Sequence, residues 1–196
     1  MHRRRVTVLA ERLTAMLPPA SSLLDVGCGD GTIAELVSSA VPGLSVAGAE
    51  YSPRPNCAIP CLGFDGIHLP YQDKSFDGCV LVDVLHHTQH PLATLLDAVR
   101  VSRDFILIKD HIAESSLDRW ILRVMDWIGN RPHGVTLPYA YLSGRQWQEL
   151  YRGAGLIEVR TERTIPLYPP PFSFVFGRNL HFITLLRKQA EIGGRG

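Results

Sequence analysis

Three carboxylates in this sequence follow short apolar runs at the places a nucleotide-like ligand would need them. The segment Leu23-Leu24-Asp25-Val26-Gly27-Cys28-Gly29-Asp30-Gly31-Thr32 sets an acid just before a glycine-rich turn. Glycines there let the backbone reverse sharply and let a ligand approach the main chain. A side chain at Gly27 is therefore expected to take up ligand space. The amides of a helix behind such a turn carry partial positive charge. Glu50 ends the next apolar run, where a carboxylate can accept both hydroxyls of a ribose. Asp65 ends a third run, ahead of Gly66-Ile67-His68-Leu69-Pro70-Tyr71, and can accept a hydrogen bond from an adenine amino group. Each acid alone has a plainer reading, Asp25 as a brace for the turn and Glu50 as a solvated strand end. The ordered set of three is what points to a ligand. The dinucleotide fingerprint has two residues between its second and third glycines. Here only Asp30 separates Gly29 from Gly31, and Thr32 stands in the third glycine's place. That spacing disfavours a nicotinamide.

A second group follows two later runs. His86 and His87 come after Val82-Asp83-Val84-Leu85, and Lys109-Asp110-His111 closes the run Phe105 to Ile108. Histidine suits proton transfer near neutral pH. His111, Asp110 and His87 are the candidate catalytic residues, His111 as a base and Asp110 as its orienting group or as a substrate ligand. The alternative is that His86 and His87 pack or cap the following helix and that Lys109 is solvated. No paired spacing among these groups supports a metal, and none is expected. Cys57 and Cys61 have three residues between them, where a redox or zinc-ribbon pair has two. With Cys28 and Cys79 they read as reduced thiols of a cytoplasmic protein.

The elements that must position these groups alternate between helix and strand, the pattern of an α/β sheet. Val6, Leu9, Ala10, Leu13 and Leu17 recur at helical spacing up to Pro18-Pro19. Strands are expected over 22–26, 44–49, 59–64, 76–82 and 105–108, with helices after the first and fourth. Ile33, Leu36, Val37 and Ala40 form one helical face, and Leu92, Leu95, Leu96 and Val99 another. Ser115 or Ser116 is expected to cap a helix with Leu117, Trp120, Ile121, Val124 and Ile128 inward, ended at Gly129-Asn130-Arg131-Pro132. Ser143 and Gln146 have capping-box spacing. Two last strands, over 157–165 and 180–186, flank a loop with Phe172, Phe174 and Phe176.

With these residues in place, the stretch 23–91 resembles the class I S-adenosylmethionine-dependent methyltransferases, most closely the small UbiE-like group. Asp25-Val26-Gly27-Cys28-Gly29-Asp30-Gly31 resembles that family's first motif, Glu50 its ribose-binding acid, and Asp65 its adenine-contacting acid. Val82-Asp83-Val84-Leu85-His86-His87 resembles the strand end that faces the methionine portion. The resemblance implies an α/β, doubly wound Rossmann-like sheet of about seven strands, the last antiparallel, with helices on both faces. It implies S-adenosyl-L-methionine as cofactor and S-adenosyl-L-homocysteine as product. Asp25, Gly27, Cys28, Gly29, Glu50, Tyr51, Asp65, Gly66 and Asp83 become the expected cofactor contacts. One departure stands out: Glu50 and Asp65 are only 15 positions apart, with Tyr51-Ser52-Pro53-Arg54-Pro55 where the family fits a helix. A loop beside the adenine is expected there.

The implied reaction is methyl transfer to O, N or C of a small-molecule acceptor by direct displacement, with positioning and a histidine base. The alternative is a catalytically silent cofactor-binding module or partner subunit. Residues 112–142 are expected to form a substrate-covering helical insertion within a single domain, 1–196, and Asn130, Arg131 and His133 to meet the acceptor. Core packing is the favoured reading of Trp120 and of the three phenylalanines, whose alternative is an apolar patch for a lipid-like acceptor. Net charge is +1, from 20 basic and 19 acidic residues, so no global field favours nucleic acid. Hydrophobic residues make up 45% and charged ones 20%, which excludes a disordered chain. No apolar run approaches the ~20 residues of a membrane span. The basic start Arg3-Arg4-Arg5 has no apolar stretch behind it, because Glu11 and Arg12 intervene, so no secretion signal is expected. Oligomeric state stays open.

Overall fold

Buried strands of a parallel sheet need apolar side chains on both faces, and the centre of this sheet has them. Leu23, Leu24 and Val26 on β1 (Ser22–Val26) and Phe105 to Ile108 on β5 (Ser102–His111) are almost wholly buried. The computed structural model describes residues 2–130, 140–167 and 180–189, with side chains for 3–125, 140–167 and 180–189. The remaining strands are β2 (Ser45–Glu50), β3 (Cys61–Gly63), β4 (Phe76–Val82), β6 (Leu156–Glu162) and β7 (His181–Lys188). Their order across the sheet is β3-β2-β1-β4-β5-β7-β6. The first five run parallel, and β7 is antiparallel to both neighbours. The expected doubly wound sheet with an antiparallel last strand is therefore present.

Helices cover both faces. α1 (His2–Met16) and α2 (Thr32–Ala40) set Leu9, Leu13 and Val37 against Leu23, Val80 and Phe105. α3 (Pro91–Val101) and α5 (Gly144–Gly153) set Leu95, Ala98, Trp147 and Tyr151 against Leu24, Cys79 and Ile106. Pro91 sits in the first turn of α3, where its missing amide costs nothing. Ser143 and Gln146 close a capping box at α5. Gly78 on β4 is level with Phe105, whose ring lies where a Gly78 Cβ would be, 2.2 Å away. A side chain at 78 would expel that ring from the core.

Two helical faces differ from expectation. In α3 the buried positions are Thr94, Leu95, Ala98 and Val101, while Leu92 and Leu96 are 40% and 45% exposed. The helix is rotated toward its small residues, which let it approach β4 and β5. In α4 (Ser116–Asn130), capped by Ser115 through its bond from the Asp118 amide, Trp120 is 62% exposed and Leu117 is exposed too. Ile121 points inward as expected, and Leu122 joins it, onto Ala113, Tyr141 and Leu180. The expected loop between β2 and β3 is present: residues 51–60 contain no helix. Among the described residues, no helix is long and apolar enough to cross a membrane.

Candidate functional site: a glycine turn and a buried charge network

β1 and β2 end level, Val26 beside Ala49. The Gly27 and Cys28 amides both donate to the Ala49 carbonyl, at 2.7 and 3.3 Å, so the chain reverses at once. Gly27, Gly29 and Gly31 have φ of 71°, 61° and 76°, a region other residues enter at a cost of roughly 1–2 kcal/mol. Glu50 braces this turn from the next strand: its Oε2 accepts from the Gly29 amide at 2.7 Å. The space around the glycines is unequal. A Cβ on Gly27 would lie 2.6 Å from Val84 Cγ2, while one on Gly29 would meet nothing within 4 Å. A Gly27 Cβ would therefore strike Val84. Gly29 is the open position.

Asp25 lies directly beneath the turn and is 3% exposed. Its Oδ1 has no hydrogen-bond partner among the described residues. Burial, and then the Glu50 charge, push its carboxyl up to about 8. A buried polar atom without a partner calls for one. The shift has a testable sign. Between about pH 4 and pH 8 the folded protein holds a proton that the unfolded chain has lost, so stability falls as pH rises through that window. Asp25→Asn is expected to flatten this slope in urea titrations run at several pH values. An unchanged slope would refute the assignment to Asp25.

Asp65, expected at the adenine, is exposed and already engaged. Its Oδ1 accepts from the Ile67 and His68 amides at 2.8 and 2.6 Å, and its Oδ2 pairs with His68 Nδ1 at 2.7 Å. The His68 ring and these amides hold the carboxyl well below its usual range, and Asp65 raises His68 in turn. Gly66, at φ 92°, faces the exposed Tyr51 ring, 3.8 Å from where its Cβ would be.

The second cluster lies where β4 and β5 end. Asp83 adopts φ 57°, a sharp turn that brings its amide onto the Lys109 carbonyl at 2.8 Å. Its carboxylate pairs with Lys109 Nζ and with Arg5 from α1. Burial opposes the charge on Asp83, yet Lys109 and His111 hold the carboxyl well below its usual range. Lys109 is fully buried, and its Nζ also lies 3.4 Å from His181 Nδ1. Asp110 accepts from the Leu85 amide at 3.1 Å, from the His111 amide at 2.7 Å and pairs with His86 Nδ1. His111 Nδ1 stands 3.5 Å from both Asp83 Oδ1 and Asp110 Oδ1. Burial, then Lys109, lower the His111 pKa, so the ring is neutral near pH 7. Trp147 Nε1 donates to the His111 carbonyl at 2.9 Å and pins the strand end.

The expected residues thus fall into two groups. Asp25, Gly27, Cys28, Gly29 and Glu50 converge at the ends of β1 and β2, with Tyr51, Asp65 and Gly66 along one rim. Asp83, Asp110 and His111 converge at the ends of β4 and β5. His87, half-buried, reaches the second group through its ring, 3.8 Å from that of His86. The Arg131 and His133 assignments, the Asn130 side chain and the phenylalanine loop lie outside the described residues. Sequence reasoning missed His181 and Arg5. His181 pairs with His111 across an antiparallel register, and its ring lies 4.7 Å from that of His111. Only tertiary pairing brings residues 70 apart together, and Arg5 had read as part of a basic start.

Comparison with known proteins agrees with this arrangement. The family model described as "Methyltransferase domain" matches residues 1–160. A curated relative, 27-O-demethylrifamycin SV methyltransferase of Amycolatopsis mediterranei, is 31% identical over 124 residues, which are 52% of this chain and 46% of the relative. The chain spans about half the length of that relative. Among solved structures, the complex of the Haloferax volcanii Trm112 methyltransferase activator with a methyltransferase matches with TM-score 0.69 at 15% identity, over 94% of this chain and 90% of that one. The Burkholderia thailandensis 1,6-didemethyltoxoflavin-N1-methyltransferase, holding 1,6-didemethyltoxoflavin and S-adenosylhomocysteine, matches with TM-score 0.63 at 18% identity, over 94% of this chain and 78% of that one. The glycine turn, the acids around it and the family match over residues 1–160 lead to one assignment: the chain belongs to the methyltransferase-domain family, in the class I group that uses S-adenosylmethionine.

Proposed function

We propose that this chain transfers the methyl group of S-adenosylmethionine to a small-molecule acceptor held above the ends of β4 and β5. The observation that carries this reading is the buried, unpartnered Asp25 Oδ1 beneath a turn that is open at Gly29. A buried carboxyl with an unpartnered oxygen, beside an uncovered turn, suits a ligand with an ammonium at one end, which would favour its ionised form. The residues present fit the cofactor. Asp25 would take its ammonium, the turn at Gly27, Cys28 and Gly29 its amino-acid end, and Glu50 its ribose hydroxyls. Tyr51, Asp65 and Gly66 would flank the base. When bound, the sulfonium supplies a methyl carbon with a good leaving group already attached. The chain's own task is then positioning and exclusion of water. Residues 112–142 would cover the acceptor, with Asn130, Arg131 and His133 facing it, all within one domain, 1–196. A neutral His111 beside two carboxylates can take the proton that an O, N or C acceptor loses, and hold it. Asp110 would orient that ring, and His87 would line the same rim.

A silent cofactor-binding module is the second reading. What favours it is the burial of the network, with Asp110 fully buried and His111 5% exposed, and the likeness to a fold that pairs with an activator in the Haloferax complex. Formation of S-adenosylhomocysteine from S-adenosylmethionine in a small-molecule extract separates the readings. An enzyme gives acceptor-dependent product, and a silent module gives binding by calorimetry and no turnover. Glu50→Ala is expected to weaken S-adenosylhomocysteine binding by ~1.5–3 kcal/mol, the scale of lost charge-assisted hydrogen bonds. Unchanged affinity in a folded variant would remove Glu50 from the ribose site.

A further inference from the structure

Three of the four cysteines meet at the outer wall of the glycine turn. Cys28 belongs to the turn, Cys57 to the loop after β2, and Cys61 opens β3. One sulfur from each lies within 4.8 Å of the others, and Cys28 Sγ is 3.4 Å from Cys61 Sγ. The convergence is built by two glycines. Gly48, level with Cys61 in the β2–β3 register, has no side chain, and a Cβ there would lie 2.5 Å from Cys28 Sγ. A Cβ on Gly31 would lie 2.9 Å from Cys57 Sγ. The Cys57 loop is docked on the turn by the Ala58 amide, which donates to the Asp30 carbonyl at 2.8 Å. All three residues are half-buried thiols outside any disulfide, so an ion can reach them.

We propose that Cys28, Cys57 and Cys61 form a site for one thiophilic divalent cation, zinc, held by three thiolates with its fourth position open to water. Zinc–sulfur bonds of ~2.3 Å in a tetrahedron place the sulfurs ~3.8 Å apart. The observed separations, from 3.4 Å up to at most 4.8 Å, bracket that value and need only small side-chain rotations. Each thiol proton passes to solvent as its sulfur binds the ion. Sulfur donors select zinc over magnesium or calcium. The spacing of Cys57 and Cys61 hides the site from sequence inspection, because the third ligand comes from another strand end. The other converging set, Asp83, His86, Asp110 and His111, already has Lys109 and Arg5 on Asp83 and so holds its cations within itself. Zinc would tie the glycine turn to β3 and the 51–60 loop. That consequence rests on the cofactor reading above, whereas the ion site itself does not.

The test uses the full chain, reduced with a phosphine and loaded with zinc, then desalted for metal analysis. One zinc per chain is expected. Occupancy should drop at least 10-fold in Cys28→Ser, Cys57→Ser and Cys61→Ser and persist in Cys79→Ser, the core cysteine. Substitution of cobalt(II) into the unmutated protein keeps the test independent of variant folding. Intense sulfur-to-cobalt charge-transfer absorption is expected. Cobalt bound without that absorption, equal zinc in a folded triple Cys→Ser variant, or no zinc retained by the reduced protein would each overturn the proposal. Loss of zinc binding leaves cofactor calorimetry on the metal-free chain intact, so the two readings fail separately.

Discussion

His111→Ala is expected to lower turnover by ~100-fold or more while S-adenosylhomocysteine affinity changes little. The ring sits at the end of β5 with Nδ1 3.5 Å from a carboxylate oxygen on either side, Asp83 and Asp110. Those carboxylates would stabilise an imidazolium formed by taking the acceptor's proton. Burial and Lys109 keep the resting ring neutral, so it is available as a base near pH 7. The lowered pKa fixes the sign of the pH profile. Activity should be retained as pH falls through the ordinary histidine range, and lost only below it, once the ring is protonated. The Trp147 bond goes to the backbone carbonyl of 111, so the strand end stays fixed in the variant. If His111 is only a wall, turnover in His111→Ala falls by less than ~10-fold and the acid limb of the profile stays where it was.

The cofactor half of the site was more legible than the acceptor half, for a physical reason. A parallel sheet places successive strand ends on one edge, so the order Asp25, Glu50, Asp65 in sequence is also an order in space. The glycine turn announces itself because positive φ at three positions leaves few other residues possible. Strand existence was readable from apolar runs, and β4 fell as expected at Phe76–Val82. Which face of α3 and α4 packs inward was not readable. Leu92 and Leu96 are as apolar as Leu95, and only the neighbouring surface decides between them. Most of all, sequence reading had Lys109 as solvated or a candidate base and Asp83 as a cofactor contact. Their pairing with each other, with Arg5 and with His181 draws on α1, β4, β5 and β7 at once. Long-range charge pairing has no local signature.

Asp83→Asn is expected to cost ~3–5 kcal/mol of stability, the scale for removing one partner of a buried ion pair. Asparagine tolerates the left-handed backbone that Asp83 adopts at φ 57°, so the substitution removes charge without adding strain. Arg5 is partly exposed and can rehydrate, but Lys109 is wholly buried and cannot. Lys109 already has its pKa lowered, by burial first and against the pull of Asp83. Without that carboxylate the value must fall further, so the folded variant sheds its proton at a lower pH than the parent does. The deficit between parent and variant should therefore narrow as pH rises, once both lysines are neutral. Adding Lys109→Met to Asp83→Asn should recover most of the loss, because an apolar chain of similar length needs no counter-ion. Urea midpoints at constant slope, taken for both singles and the double, measure the coupling directly. A folded Asp83→Asn protein within ~1 kcal/mol of the parent, with cofactor affinity lost instead, would place Asp83 in the cofactor site and deny it the structural part.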